Sequence, residues 1–127
     1  MINAHVAHDC KIGNNVIMVN NASIAGHVIL EDFAIMGALS GAHQFCRIGK
    51  HSMIAGGSLI RKDVPPFCKA GKEPLSYGGV NSIGLKRRDF SSDQINQIQN
   101  IYRILYLEGR NNSQAIEKIE KDISNSN

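Results

Sequence analysis

The stretch ASIAGHVILEDFAIMG, residues 22–37, reads neither as a helix nor as an alternating strand. Its large apolar residues Ile24, Leu30 and Met36 stand six apart, a spacing at which no amphipathic helix keeps one face. Two positions before each comes a small or β-branched residue: Ala22, Val28, Ala34. Carried outward, the large series runs Val6, Ile12, Met18, Ile24, Leu30, Met36, Ala42, Ile48, Ile54, Ile60. Its companion runs Ala4, Cys10, Val16, Ala22, Val28, Ala34, Ser40, Cys46, Ser52, Ser58.

Side chains alternate faces along a strand, so two inward residues around one outward residue make a short strand. The intervening positions are turn-tolerant, as in GNN (13–15), GKH (49–51) and RKD (61–63). A strand and a turn every six residues coil the chain into a triangular prism, and successive coils stack as parallel strands about 4.8 Å apart. Residues 1–62 hold eight charged side chains and five histidines, and none falls in an inward phase. The period alone leaves the hand of the coil open.

Bulk properties limit what such a body does. No apolar run among the 127 residues approaches the roughly 18 of a membrane span, and no basic-then-apolar leader opens the chain. We therefore expect a cytoplasmic protein. From Arg47 to Arg88, nine Lys or Arg face only Asp63 and Glu73. With little aromatic interleaving, that suggests an acidic or phosphorylated partner rather than nucleic acid, or simply a solvated basic surface. Cys10 and Cys46 fall in one column two coils apart, about 9–10 Å by the strand spacing, too far for a disulfide. The cysteines read as core thiols in a reducing compartment.

An 18-residue coil stacks His8, Gly26 and Gln44 in one column, Asp9, His27 and Phe45 in the next, and Ala7, Ala25 and His43 in the previous one. His5 joins from the adjoining outward strand position. Most of the histidines thus gather at one corner, while His51 stands alone at another. Incidental surface histidines are one reading of the cluster. Chemistry is the other, because imidazole suits general-base work near neutral pH. A neighbouring carboxylate, Asp9, can orient it. Gly26 would let a reacting group approach the backbone and offer its N–H to an oxyanion. Base plus oxyanion donor suits acyl transfer to a hydroxyl. A three-histidine zinc site is the competing chemistry.

INAHVAHDC (2–10), NNASIAGHV (20–28), EDFAIMG (31–37), GAHQFCRIG (41–49), DVPPF (63–67) and GLKRR (84–88) occur in this order and spacing. Together they closely resemble the acyl-[acyl-carrier-protein]–UDP-N-acetylglucosamine O-acyltransferases, which open lipid A biosynthesis. The resemblance implies an all-β solenoid with an α tail: a left-handed parallel β-helix of hexapeptide repeats followed by C-terminal helices, assembled as a homotrimer. It implies transfer of a 3-hydroxyacyl group to the glucosamine 3-hydroxyl. Acyl carrier protein is the co-substrate; no cofactor or metal is expected. His8 would be the general base, Asp9 its orienting partner, and the Gly26 N–H the oxyanion donor. His5, His27, His43 and Gln44 would line the substrate site, and Asn81, Arg87 and Arg88 would meet the nucleotide phosphates. Gly56 would leave room for the distal acyl chain. A zinc-dependent γ-carbonic-anhydrase-like protein and a non-catalytic truncated fragment are the alternatives.

Three segments are expected: the β-helix over 1–66, without the family's lower coils; an irregular Gly-rich connection over 67–90; and helices over 91–127. Ser92 is expected to cap a helix with apolar Ile95, Ile98, Ile101, Ile104 and Leu105, ending at Gly109, and Ser113 a second one. Phe33, Leu39 and Phe45 at the corners are expected to face a neighbouring subunit.

Overall fold

A computed structural model of the chain describes residues 1–71 and 76–108. Ten two-residue strands recur every six residues: β1 (His5–Val6), β2 (Lys11–Ile12), β3 (Ile17–Met18), β4 (Ser23–Ile24), β5 (Ile29–Leu30), β6 (Ile35–Met36), β7 (Gly41–Ala42), β8 (Arg47–Ile48), β9 (Met53–Ile54) and β10 (Leu59–Ile60). Every third strand pairs in parallel, giving three faces: β1-β4-β7-β10, β2-β5-β8 and β3-β6-β9. The register step is 18 residues, as in His5 to Ser23 to Gly41 to Leu59.

The inward phases form the core. Ile24, Val28, Leu30, Ala34, Met36, Ile48, Ile54 and Ile60 are fully buried. Inward serines are tolerated because their hydroxyls donate to a turn carbonyl three residues back, Ser40 to Gly37 and Ser52 to Gly49, both at 2.6 Å. In the first coil the same phases lie open, with Val6 and Ile12 at 46% and 45% exposure. Cys10, Cys46 and Cys68 are free thiols. Burial pushes the Cys68 thiol up to about 12 and raises that of Cys46, which suits packing rather than nucleophilic chemistry.

The turns repeat as strictly as the strands. Asn3, Asp9, Asn15, Asn21, His27, Phe33, Leu39, Phe45 and His51 all have φ between 56° and 66°. Each sixth residue therefore enters the left-handed region, whatever its type.

Beyond residue 62 the coil shortens. Val64 bridges Ile48 and Lys69 pairs with Met53, steps of 16 rather than 18. The described residues of 67–90 are not the irregular connection expected. β11 (Cys68–Gly71) extends the third face, β12 (Ser76–Val80) folds back antiparallel on it, and α1 (Ser82–Arg87) follows. Glycines mask the hairpin in the sequence: Gly78 and Gly79 leave SYGGV without an alternating apolar pattern, and Gly79 takes φ 101°.

α2 (Ser92–Glu108) lies against β12 and α1. Its cap is Ser91, not Ser92. Gln94 N–H donates to Ser91 Oγ at 3.1 Å and Ser91 N–H to Gln94 Oε1 at 2.8 Å, a reciprocal capping box. Its buried face is Ile95, Ile98, Tyr102 and Leu105, while Ile104 is 43% exposed. Helix phase sets Tyr102, not Ile104, beside Ile95, Ile98 and Leu105, and its buried hydroxyl is satisfied by donating to the Pro66 carbonyl. The expected stop at Gly109 and the helix from Ser113 lie outside the described residues. Among the described residues, no helix is long and apolar enough to cross a membrane.

Candidate active site

The corner between the β1 and β2 faces carries residues 7–10, 25–28 and 43–46. Backbone hydrogen bonds run up it coil by coil: His27 N–H to the His8 carbonyl at 3.0 Å, Phe45 N–H to the Gly26 carbonyl at 3.1 Å. The stacked columns read from the sequence are therefore present.

At this corner His8 Nδ1 lies 3.1 Å from Asp9 Oδ2, and His27 Nε2 lies 3.8 Å from the same oxygen. With its proton on Nδ1, His8 donates to Asp9 and turns the Nε2 lone pair away from the carboxylate. His27 meets His8 edge-on at 5.2 Å and stacks on Phe45 at 4.8 Å. Its left-handed backbone, φ 60°, and that of Asp9, φ 58°, aim both side chains off the turn toward His8. One donor atom from each of His8, Asp9 and His27 falls within 4.8 Å of the others, a spacing that can hold a metal ion.

Gly26 has a more immediate role than the one expected. A Cβ there would sit 2.6 Å from His8 Cε1 and 2.7 Å from His8 Nε2. The space above the glycine is occupied by the imidazole itself, so the missing side chain seats His8.

His5 and His43 do not join that trio. They line an adjoining groove of about 520 Å³ on the first face, floored by Ser23, Gly41 and Ala25 and bordered by Arg61. Gln44 is exposed in the His8–Gly26 column. Arg87 and Arg88 stand elsewhere. With Lys69, Phe33, His51 and Asn81 they line a groove of about 550 Å³ on the third face. The Arg88 guanidinium lies over the Phe33 ring at 4.8 Å. Asn81 is only 4% exposed, and its Nδ2 donates to the His51 carbonyl at 3.0 Å. Its amide thus holds α1 to the coil.

His51 is the residue that sequence reasoning passed over. It stacks between Phe33 at 4.7 Å and Phe67 at 5.6 Å, with Phe90 edge-on at 4.9 Å. Burial, reinforced by the cations Lys50 and Arg88 against the weaker pull of Asp32, lowers its pKa to about 4. Its phase points out of the prism, but the later chain covers it. The spacing of Phe33 and His51 was readable as a column; the cover was not.

Gly56 is exposed on the corner between the third and first faces, where a Cβ would meet the Ala38 carbonyl oxygen at 3.1 Å. Its neighbour Ala55 lines an apolar groove of about 330 Å³ with Met53, Ala70 and Tyr77.

A prism of six-residue rungs with an imidazole–carboxylate pair at one corner defines the class: a hexapeptide-repeat β-helix with a histidine cluster on its surface. Residues 63–127 match the family model described as UDP N-acetylglucosamine O-acyltransferase, domain 2, and the chain belongs to that family. It is 48% identical over 122 residues to the acyl-[acyl-carrier-protein]–UDP-N-acetylglucosamine O-acyltransferase of Aliivibrio fischeri (strain MJ11), covering 96% of this chain and 47% of the relative. The solved LpxA of Acinetobacter baumannii superposes with TM-score 0.86 at 41% identity, over 97% of this chain and 48% of that one. The UDP-N-acetylglucosamine acyltransferase of Francisella novicida superposes with TM-score 0.87 at 40% identity, over 100% and 46%. The fold is accordingly the left-handed parallel β-helix of these enzymes. The chain spans about half the length of the relatives it matches.

Proposed function

We propose that this chain transfers a 3-hydroxyacyl group from acyl carrier protein to the 3-hydroxyl of UDP-N-acetylglucosamine, the opening step of lipid A biosynthesis, in the cytoplasm and without a further cofactor. The observation that carries the reading is the His8–Asp9 pair, 3.1 Å apart and seated over Gly26, in a chain of this family.

Asp9 holds the Nδ1 proton, which leaves Nε2 of His8 to accept the hydroxyl proton. The freed oxygen attacks the thioester carbonyl, and the oxyanion so formed is met by the Gly26 N–H. Collapse expels the carrier thiolate, which takes the proton back from the His8 imidazolium. The products are the ester and a thiol, and His8 is restored. His27 supports Asp9, while His5, His43 and Gln44 line the approach for sugar and acyl chain. Arg87 and Arg88 meet the diphosphate, for which guanidinium forks are suited. The acidic carrier has the basic Arg47–Arg88 region to dock on.

Those arginines stand on the third face and His8 at the opposite corner of the prism. One substrate reaches both only if two copies meet, which is what a threefold assembly supplies. Transfer measured with acyl carrier thioesters and UDP-N-acetylglucosamine tests the reading: His8→Ala should lower it by ~10²-fold or more. Near-normal transfer by that variant would remove His8 as the base.

A further inference from the structure

We propose that His8, Asp9 and His27 bind a divalent transition-metal ion of the zinc and cobalt class, and that occupancy shuts off the general base. Two imidazoles and one carboxylate form a donor set that such ions accept, whereas magnesium and calcium prefer oxygen alone.

The geometry fits the ion's size. Tetrahedral coordination with bonds of about 2.0–2.1 Å separates donor atoms by about 3.3 Å. The observed separations of His8 Nδ1 and His27 Nε2 from Asp9 Oδ2, 3.1 Å and 3.8 Å, lie on either side of that length. The donors of the trio all fall within 4.8 Å. Closing the wider edge takes only side-chain rotation, because all three residues are exposed. Two of the donors need little searching: Asp9 and His27 spring from left-handed turns one coil apart, and Phe45 stacks on the His27 ring. Three protein ligands leave a fourth position open to water.

Occupancy and base catalysis exclude each other. An ion held by His8 Nδ1 and Asp9 Oδ2 takes the place of the proton that Asp9 would otherwise hold on Nδ1, and its double charge on the imidazole opposes proton uptake at Nε2. The metal is thus an inhibitor of transfer, not a participant in it. That half of the inference rests on the proposed acyl transfer; metal binding itself does not.

The test adds Co²⁺ to the metal-free chain and follows uptake by equilibrium dialysis and visible absorption. The wild type should take up about one equivalent with the intense absorption of low-coordinate cobalt. His8→Ala and His27→Asn should each weaken uptake at least tenfold; asparagine keeps the left-handed turn at position 27 while deleting the imidazole. His5→Ala and His51→Phe should leave it unchanged. Equal uptake by His8→Ala and His27→Asn, or none by the wild type, overturns the site. Zn²⁺ at saturating levels should abolish transfer, and a chelator should restore it. Undiminished transfer by the zinc-loaded chain overturns the inhibitory role. Cobalt uptake by a chain that never transfers an acyl group overturns the acyl-transfer reading alone.

Discussion

At the scale of single residues, the seat beneath His8 gives the sharpest expectation. A methyl at Gly26 would sit 2.6 Å from the exposed imidazole, which can swing outward at little cost in stability. Gly26→Ala should therefore leave the melting temperature within about 2–4 °C, the usual effect of a sub-kilocalorie surface change, while transfer falls by ~10-fold or more as the base loses its position. Loss of stability with transfer unchanged would show that the seat has no catalytic role. His51 is a residue of the other kind. In the folded chain its ring takes a proton only near pH 4, whereas in the unfolded chain it does so near 6.5. Between those values the unfolded state binds more protons, so this group makes stability fall as pH drops from about 6.5 to about 4 and contributes no slope above that window. His51→Phe keeps the stack, since Phe33 and Phe67 already hold φ 62° and 67° in the same column. Denaturant midpoints measured from pH 7 to pH 4 should fall less steeply in that variant; parallel profiles would mean that His51 is not the titrating group.

At the scale of elements, two inward residues in every six were enough to give the prism and its columns, because burial acts on each rung alike. The His8–Asp9–His27 corner was legible for the same reason: an 18-residue register turns sequence distance into height. The rest depended on contacts far apart in the chain. His51 is covered by Phe90, and Asn81 is drawn inward by the His51 carbonyl. Tyr102 is buried on the inner face of α2, stacked on Tyr77 at 5.2 Å with its hydroxyl donating to the Pro66 carbonyl. Removing that hydroxyl in Tyr102→Phe leaves a buried carbonyl short of a partner and should cost about 1–3 kcal/mol, read as a lower denaturant midpoint; an unchanged midpoint would mean that α2 is held by its apolar face alone. Turn chemistry hid something further. Asn and Asp suit the left-handed corners, but Leu39 and Phe45 occupy them at φ 60° and 66° while 67% and 66% exposed. Such a conformation costs a non-glycine residue about 1–2 kcal/mol; Phe45 has the His27 ring to stack on, whereas among the described residues none covers Leu39, which stays 67% exposed.

At the scale of the whole molecule, the strain at those corners and the separation of His8 from Arg88 lead to the same arrangement. Apolar corners gain by being covered, and on the proposed function the arginines would serve the base only if another copy presented them. Leu39→Asn should then raise single-chain stability by about 1 kcal/mol through relief of the turn while weakening association in sedimentation equilibrium; unchanged association would place the interface elsewhere. A mixing experiment goes further. On the proposed function His8→Ala and Arg88→Ala should each transfer poorly alone, for one would lack the base and the other a phosphate contact. If each site takes its base from one copy and its arginine from the next, co-refolding the two variants in equal amounts creates sites that have both. In random threefold assemblies about a quarter of the sites are intact, since base and arginine are each present half the time. Transfer should therefore recover to about a quarter of the wild-type level, far above either variant. Were both groups drawn from the same chain, every site would carry one defect and mixing would restore nothing.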